Sequence, residues 1–160
     1  MALDEIRKTK IEKVDKLRKA GIDPYPAISG RTHKISDVLN WDEDRWGQGQ
    51  PNTNIELVVL AGRIMAKREM GGVVFFDVND SVKIQALIKE DTVGKEKFEQ
   101  FREFIDIGDF VEVTGILFKT KTGEKTLLTT HYSLKHCFRF PKNGRVCKTL
   151  KNDSAKDIWI

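Results

Sequence analysis

Three cations and two aromatic rings crowd one short stretch of this chain. Arg63, Lys67 and Arg68 stand in or beside the alternating segment Glu56–Glu69, and Phe75 and Phe76 follow across a Gly71-Gly72 turn. Lys and Arg neutralise phosphates, while an exposed ring offers its face to an unstacked base. Residues of these types, at this spacing, describe a surface for single-stranded nucleic acid. They do not describe a catalytic centre. His33, His131 and His136 fall on unlike elements, with no ligand spacing and no Ser or Cys nucleophile beside them. No Gly pattern of a nucleotide loop is present; Gly71-Gly72 and Gly123-Glu124 read as turns. No catalytic residue and no metal site are expected.

Composition sets the frame for that surface. The 160 residues suit one domain with a helical appendage, and 39% hydrophobic residues suffice for one modest core. A net charge of +4 favours RNA or an acidic partner without choosing between them. Cys137 and Cys147 lack metal spacing and read as free thiols of a reducing compartment. The charged start MALDEIRKTK has no signal-peptide core, and no apolar run reaches the roughly 18 residues of a membrane span. The expected location is the cytoplasm, away from membranes.

The elements that must hold the surface follow from periodicity. Leu3–Ala20 reads as a helix, with Ile6, Ile11, Val14 and Leu17 as its apolar stripe and Gly21 as its stop. Its open face carries Arg7, Lys8, Lys10, Lys13, Lys16, Arg18 and Lys19, either solvated or lying along an RNA backbone. Pro24 to Lys34 is extended, Ser36–Asn40 is a short helix with Ser36 in the N-cap position, and Gly47–Thr53 is a boundary loop. Trp41 and Trp46 read as packing residues. Strands are expected over Glu56–Glu69, Val73–Val78, Val82–Ile88, Asp109–Thr120 and Lys125–Leu134, with a helix over Asp91–Phe104 that buries Phe98, Phe101 and Ile105. Gly115 suits a bulge. Strand alternation turns Phe75 outward and Phe76 inward.

Five strands with a helix between the third and fourth give a mainly β, α+β chain. The expected architecture is a five-stranded OB-fold Greek-key barrel preceded by N-terminal helices. A sandwich would want more strands, and an RRM a different order. Three regions follow: a helical appendage over 1–50, the barrel over 51–136, and an irregular tail over 137–160.

The segments LRKAGIDPYP, RTH, AGRIMAKREMGGVVFFDVND, KIQALIKED and IDIGDFVEVTGILFKTKTGE resemble, in order and spacing, the N-terminal region of class II lysyl-tRNA synthetases, over about residues 3–136. The resemblance implies an anticodon-binding OB domain, with tRNA bearing the lysine anticodon as partner. It also implies specific roles. Phe75 would stack on the central anticodon base and Gln85 would close the sandwich. Arg68 would supply a planar cation, and Glu124 hydrogen bonds to a base edge. Arg63 and Lys67 would serve phosphates. Gly72 and Val73 replace a Lys-Ala pair usual in that family, and the turn at Asp80–Lys83 is a residue shorter. ATP, Mg²⁺ and homodimerisation belong, in the family, to the full-length enzyme; this chain alone is expected to bind no cofactor and to be catalytically inactive.

The tail KNGRVCKTLKNDSAKDIWI does not resemble the family. Its codons, read in a shifted frame, permit PLPEKWQGLQNAEKRQRQRYLD, which does resemble the family's passage into the catalytic domain. The expectation is a single-base deletion near the codon for Phe138; the alternative is a natural short protein. A second class of function also stands beside tRNA recognition: a free-standing OB module that binds RNA non-specifically or binds protein. Single-stranded DNA binding is the third.

Overall fold

A computed structural model describes residues 3–21, 23, 29–49 and 56–134. Cys137, Cys147, His136, the Pro24–Pro26 linker and the tail lie outside the described residues, as do the side chains of Ile6 and Arg7. Helix α1 runs Leu3–Lys19, α2 Ile35–Leu39, and a 3₁₀ turn Glu43–Arg45 precedes the two-residue strand β1, Gly47–Gln48. Then come β2 (Val58–Met70), β3 (Val73–Asn79), β4 (Lys83–Lys89), α3 (Glu90–Val93), α4 (Lys95–Phe104), β5 (Phe110–Lys119) and β6 (Lys125–Leu134).

The strands close on themselves. β2 pairs with β3, β3 with β4, β4 with β6, β6 with β5, and β5 returns to β2. Only the β4–β6 contact within this ring is parallel, Gln85 to Ile88 against Thr126 to Thr129. A parallel neighbour cannot be reached by a hairpin. The crossover is supplied by α3, α4 and β5. One long strand serves two partners: Val58 to Arg63 pair with β5, and Arg63 to Met70 pair with β3. The change of register between Ile64 and Ala66 is a bulge, which bends the strand around the barrel. A second irregularity, between Thr114 and Gly115, lies where β5 passes close under β6. A Cβ on Gly115 would stand 2.0 Å from the Leu128 carbonyl oxygen, so only glycine fits.

The interior is built by alternation. Val58, Leu60, Ile64, Val74, Phe76, Val78, Ile84, Val111, Val113 and Leu117 point inward and are buried. Helix α4 plugs the barrel with Phe98, Phe101 and Phe104, the Phe101 ring lying 4.8 Å from Phe76 and 5.1 Å from Tyr132 between centroids. The expected single helix over Asp91–Phe104 is divided at Gly94, whose φ of 85° is outside helical space. Leu17, Ile35, Val38 and Trp46 join the same core, so it reaches across the boundary expected near residue 50.

Two expectations about the helices are corrected. Ser36 does not cap α2. Asp80, in the β3–β4 turn, accepts the Ile35 N–H at 3.1 Å instead, and Ser36 lies within the helix. On α1, Lys10 and Lys13 do not lie on an open face, whereas Lys16 stays exposed. Lys10 bridges Asp106 (3.0 Å) and Asp109 (2.8 Å), Lys13 meets Asp106 at 2.7 Å, and Lys16 reaches Glu103. Asp106 and Asp109, ahead of β5, draw the Lys10 and Lys13 ammoniums inward, and Ile11 from the expected apolar stripe is left exposed. Burial alone would lower the pKa of Lys10, but its bonds to Asp109 and Asp106 outweigh burial and raise it. Burial would raise Asp106, and Lys13 and Lys10 together bring it below its ordinary value.

Candidate nucleic-acid interface

The outer face of the barrel carries a second apolar cluster, separate from the core. Leu87, Phe118 and Leu128 are its buried members, with Val73 and Phe75 packed beside them. Register explains the gathering: Phe75 lies opposite Leu87 across β3–β4, and Leu87 opposite Leu128 across β4–β6. Phe76, one residue on from Phe75, is wholly buried on the inner side. Phe75 is half-buried, held from below by the cluster and open above. An aromatic seated this way keeps its orientation and still presents one face, as base stacking requires.

A groove of about 660 Å³ runs over this floor. Its walls are the β2–β3 hairpin, through Met70 and Val73, and the β5–β6 turn, through Thr120 and Lys121, with Gly49 and Lys89 on the rim. Arg68 sits directly opposite Phe75 in the β2–β3 register and is exposed. Among the described residues, Arg68, Lys89 and Lys121 have no ion-pair partner. Three unneutralised cations around an apolar, ring-bearing floor form a site where phosphates and bases can be met together.

Gln85 stands on the same face, between Asp77 of β3 and Thr126 of β6. Its Oε1 accepts from the buried Thr126 hydroxyl at 3.0 Å. The Thr126 Oγ1 also lies 3.2 Å from the carbonyl oxygen of Glu124. Glu124 itself is exposed in the β5–β6 turn, its backbone tied to Thr120 at both N–H (3.0 Å) and C=O (2.9 Å). Its carboxylate has no partner among the described residues. Asp77 is buried on this face and is balanced by Lys83 at 3.4 Å.

The other two expected contacts stand elsewhere. Arg63 lies beyond the bulge, with its guanidinium stacked 4.7 Å over the Phe110 ring, exposed on the outside of β2 and β5. Lys67 lies opposite buried Phe76 and turns inward. Its ammonium donates to the carbonyls of Arg102 (2.9 Å) and Ile105 (3.1 Å) at the end of α4, and pairs with Glu69 at 3.1 Å. Bonds to Arg102 first, then to Lys67, hold Glu69 below the usual carboxylate range. Phe75 thus lines the groove; Arg68 stands across the β2–β3 ladder from it, Gln85 on the same face of β4 and Glu124 in the β5–β6 turn, while Arg63 and Lys67 stand apart.

Sequence reasoning missed Leu87, Phe118, Lys89, Lys121 and Thr126. Leu87 and Lys89 follow Gln85 at spacings of two, so strand parity places them on the same face. Thr126 and Phe118 carry no such local signal: the parallel β4–β6 pairing brings Thr126 beside Gln85, and the β5–β6 pairing sets Phe118 against Thr126. Two nearby cations that composition would count toward the groove are committed elsewhere: Lys119 to Glu43, and Lys125 to the Leu39 carbonyl and the Trp46 ring.

Residues 58–134 match the OB-fold nucleic acid binding domain of the tRNA anticodon type. Among curated proteins, a lysine–tRNA ligase of Thermosipho melanesiensis is 38% identical over 133 residues, covering 82% of this chain and 26% of its own length. One from Thermoanaerobacter pseudethanolicus is 41% identical over 134 residues, covering 82% of this chain and 25% of its own. One from Clostridium botulinum is 37% identical over 150 residues, covering 92% and 26%. The chain therefore spans about a quarter of the length of the relatives it matches. With strand order, groove and similarity in agreement, residues 58–134 are an OB-fold anticodon-binding domain, and the chain is homologous to the N-terminal region of lysine–tRNA ligases.

Proposed function

We propose that the groove over β3, β4 and β6 binds the anticodon loop of a lysine tRNA. The observation that supports it best is Phe75, half-buried on an apolar platform with the unpaired guanidinium of Arg68 directly across the β2–β3 ladder. On this reading Phe75 stacks on the central anticodon base, and Gln85 and Glu124 meet base edges. Arg68, Lys89 and Lys121 meet the backbone. Aminoacylation, with its ATP and Mg²⁺, belongs to the part of the relatives that this chain does not span, so the chain alone binds without catalysing. Dimerisation and a place in cytoplasmic translation attach to that longer enzyme.

The test is titration of a lysine anticodon stem–loop by anisotropy, with wild type and Phe75→Ala. One stacked base contributes about 1–3 kcal/mol, so affinity should fall roughly 5- to 150-fold. The U-rich loop should also be preferred over an unrelated one. Equal affinity for any RNA or single-stranded DNA, unchanged by Phe75→Ala, would leave only a non-specific basic surface.

A further inference from the structure

The Thr126 hydroxyl is fully buried on a face otherwise given over to ligand contact, and it lies within bonding distance of two acceptors. A threonine has one hydroxyl hydrogen to donate. The Glu124 carbonyl already receives the Thr120 N–H at 2.9 Å, so it does not depend on Thr126. The Gln85 Oε1 has no other donor among the described residues. We propose that Thr126 is the positioning residue that fixes the Gln85 amide, and with it the base edge this domain accepts.

The chemistry follows from the geometry. With Oε1 held by Thr126, the Nε2 hydrogens are the ones turned away from β6. That leaves them for β3, where Asp77 stands opposite Gln85 in register, and for the groove. The buried Asp77 carboxylate reinforces that orientation, since it repels the amide oxygen and attracts the amide hydrogens. Arg68, across the ladder from Phe75, is also a donor and cannot accept. A base stacked on Phe75 thus meets donors from both sides. A carbonyl oxygen on its edge is bonded, and an amino group in the same place is refused, because it would leave donors that the base itself desolvates facing a donor. Uracil offers a carbonyl at C4 where cytosine offers an amino group. An amide free to turn over would present its oxygen instead and accept either base.

The role presupposes that this face takes RNA, and the experiment separates the two questions. Two lysine anticodon stem–loops are titrated against the full chain, one with U and one with C at the central anticodon position. The proteins are wild type, Thr126→Val and Thr126→Ser. Valine keeps the shape and strand preference of threonine while removing the hydroxyl; Thr126→Ala makes the same comparison should the extra methyl not fit. Wild type should prefer U. In Thr126→Val the U-over-C ratio should fall several-fold toward unity, mainly through tighter binding of the C loop relative to the U loop. Thr126→Ser should restore it. A ratio unchanged in Thr126→Val overturns the assignment, and so does an equal weakening for both loops, which marks a purely structural threonine. Wild-type protein that binds neither loop overturns the RNA reading itself, and the role of Thr126 with it.

Discussion

Lys67 and Arg68 are adjacent cations with opposite fates, and replacing each in turn separates folding from binding. The Lys67 side chain is 11% exposed and gives two hydrogen bonds to carbonyls at the C-terminal end of α4. A helix end concentrates unsatisfied carbonyls and negative partial charge, so a buried ammonium there is well matched. Hydrogen bonds to a charged group contribute about 1.5–3 kcal/mol, and the partners left behind lose theirs. Lys67→Met, which keeps the stem over the Phe101 ring, should therefore destabilise the chain by about 2 kcal/mol. Denaturation should report this as a lower midpoint at unchanged slope, and melting as a fall of roughly 4–8 °C. Arg68 has no such engagement, and Arg68→Ala should shift stability by no more than about 0.5 kcal/mol. Salt titration of RNA binding reverses the order. Each phosphate neutralised on a single strand contributes a slope of about 0.7 in log K against log salt. Arg68→Ala should lower the slope by about that amount, whereas Lys67→Met should leave it unchanged once the protein is folded. A stable Lys67→Met chain with a reduced slope would refute the placement of Lys67 in the fold.

Gly115→Ala should be among the most damaging single changes, at least about 3 kcal/mol, because its Cβ would meet the Leu128 carbonyl and backbone cannot step aside; chemical denaturation measures it. The docking of α1 should show two pH limits. Asp106 has its pKa lowered from 3.8, so its contribution is present above that value and is lost as acid titrates through the lower folded value. Lys10 has its pKa raised from 10.5, so its contribution is full below 10.5 and is lost above, as pH rises through the folded value. Lys10→Met should flatten both limbs of the stability–pH curve, and identical limbs in the two proteins would contradict the bridge.

The strands were legible because their residues announce them. Lys125–Leu134 is rich in Thr and Leu and follows directly on the Lys121–Glu124 turn, and the parity of Phe75 and Phe76 is a property of any strand. The faces of Arg63, Lys67 and Arg68 were not legible. Alternation alone would put Arg63 and Lys67 on one side and Arg68 on the other. The bulge between Ile64 and Ala66 resets the count, so Arg63 and Arg68 both point outward while Lys67 turns to α4. A bulge of this kind leaves no compositional mark. The cap of α2 was hidden for a related reason: Asp80 is remote in sequence and outcompetes the nearby Ser36. In the groove, Phe75, Gln85, Arg68 and Glu124 were reached through family resemblance, but their support was not. Thr126, Phe118 and Leu128 become neighbours of β4 or of one another only when β6 closes the ring.

Closure of that ring has a consequence for how the protein behaves in a crowded solution. An open sheet ends in strands whose unpaired N–H and C=O groups recruit strands from other molecules. Here each of the five barrel strands finds a neighbour on both sides over part of its length. Where β5 runs past the reach of β2, at Phe118 and Lys119, the short β1 lies against it, and the Gly49 N–H completes the cover on the Lys119 carbonyl at 2.9 Å. The tip of β5 beside the groove is thus denied to foreign strands. A surface that must stay open to a polar, flexible ligand is thereby kept from becoming a template for aggregation.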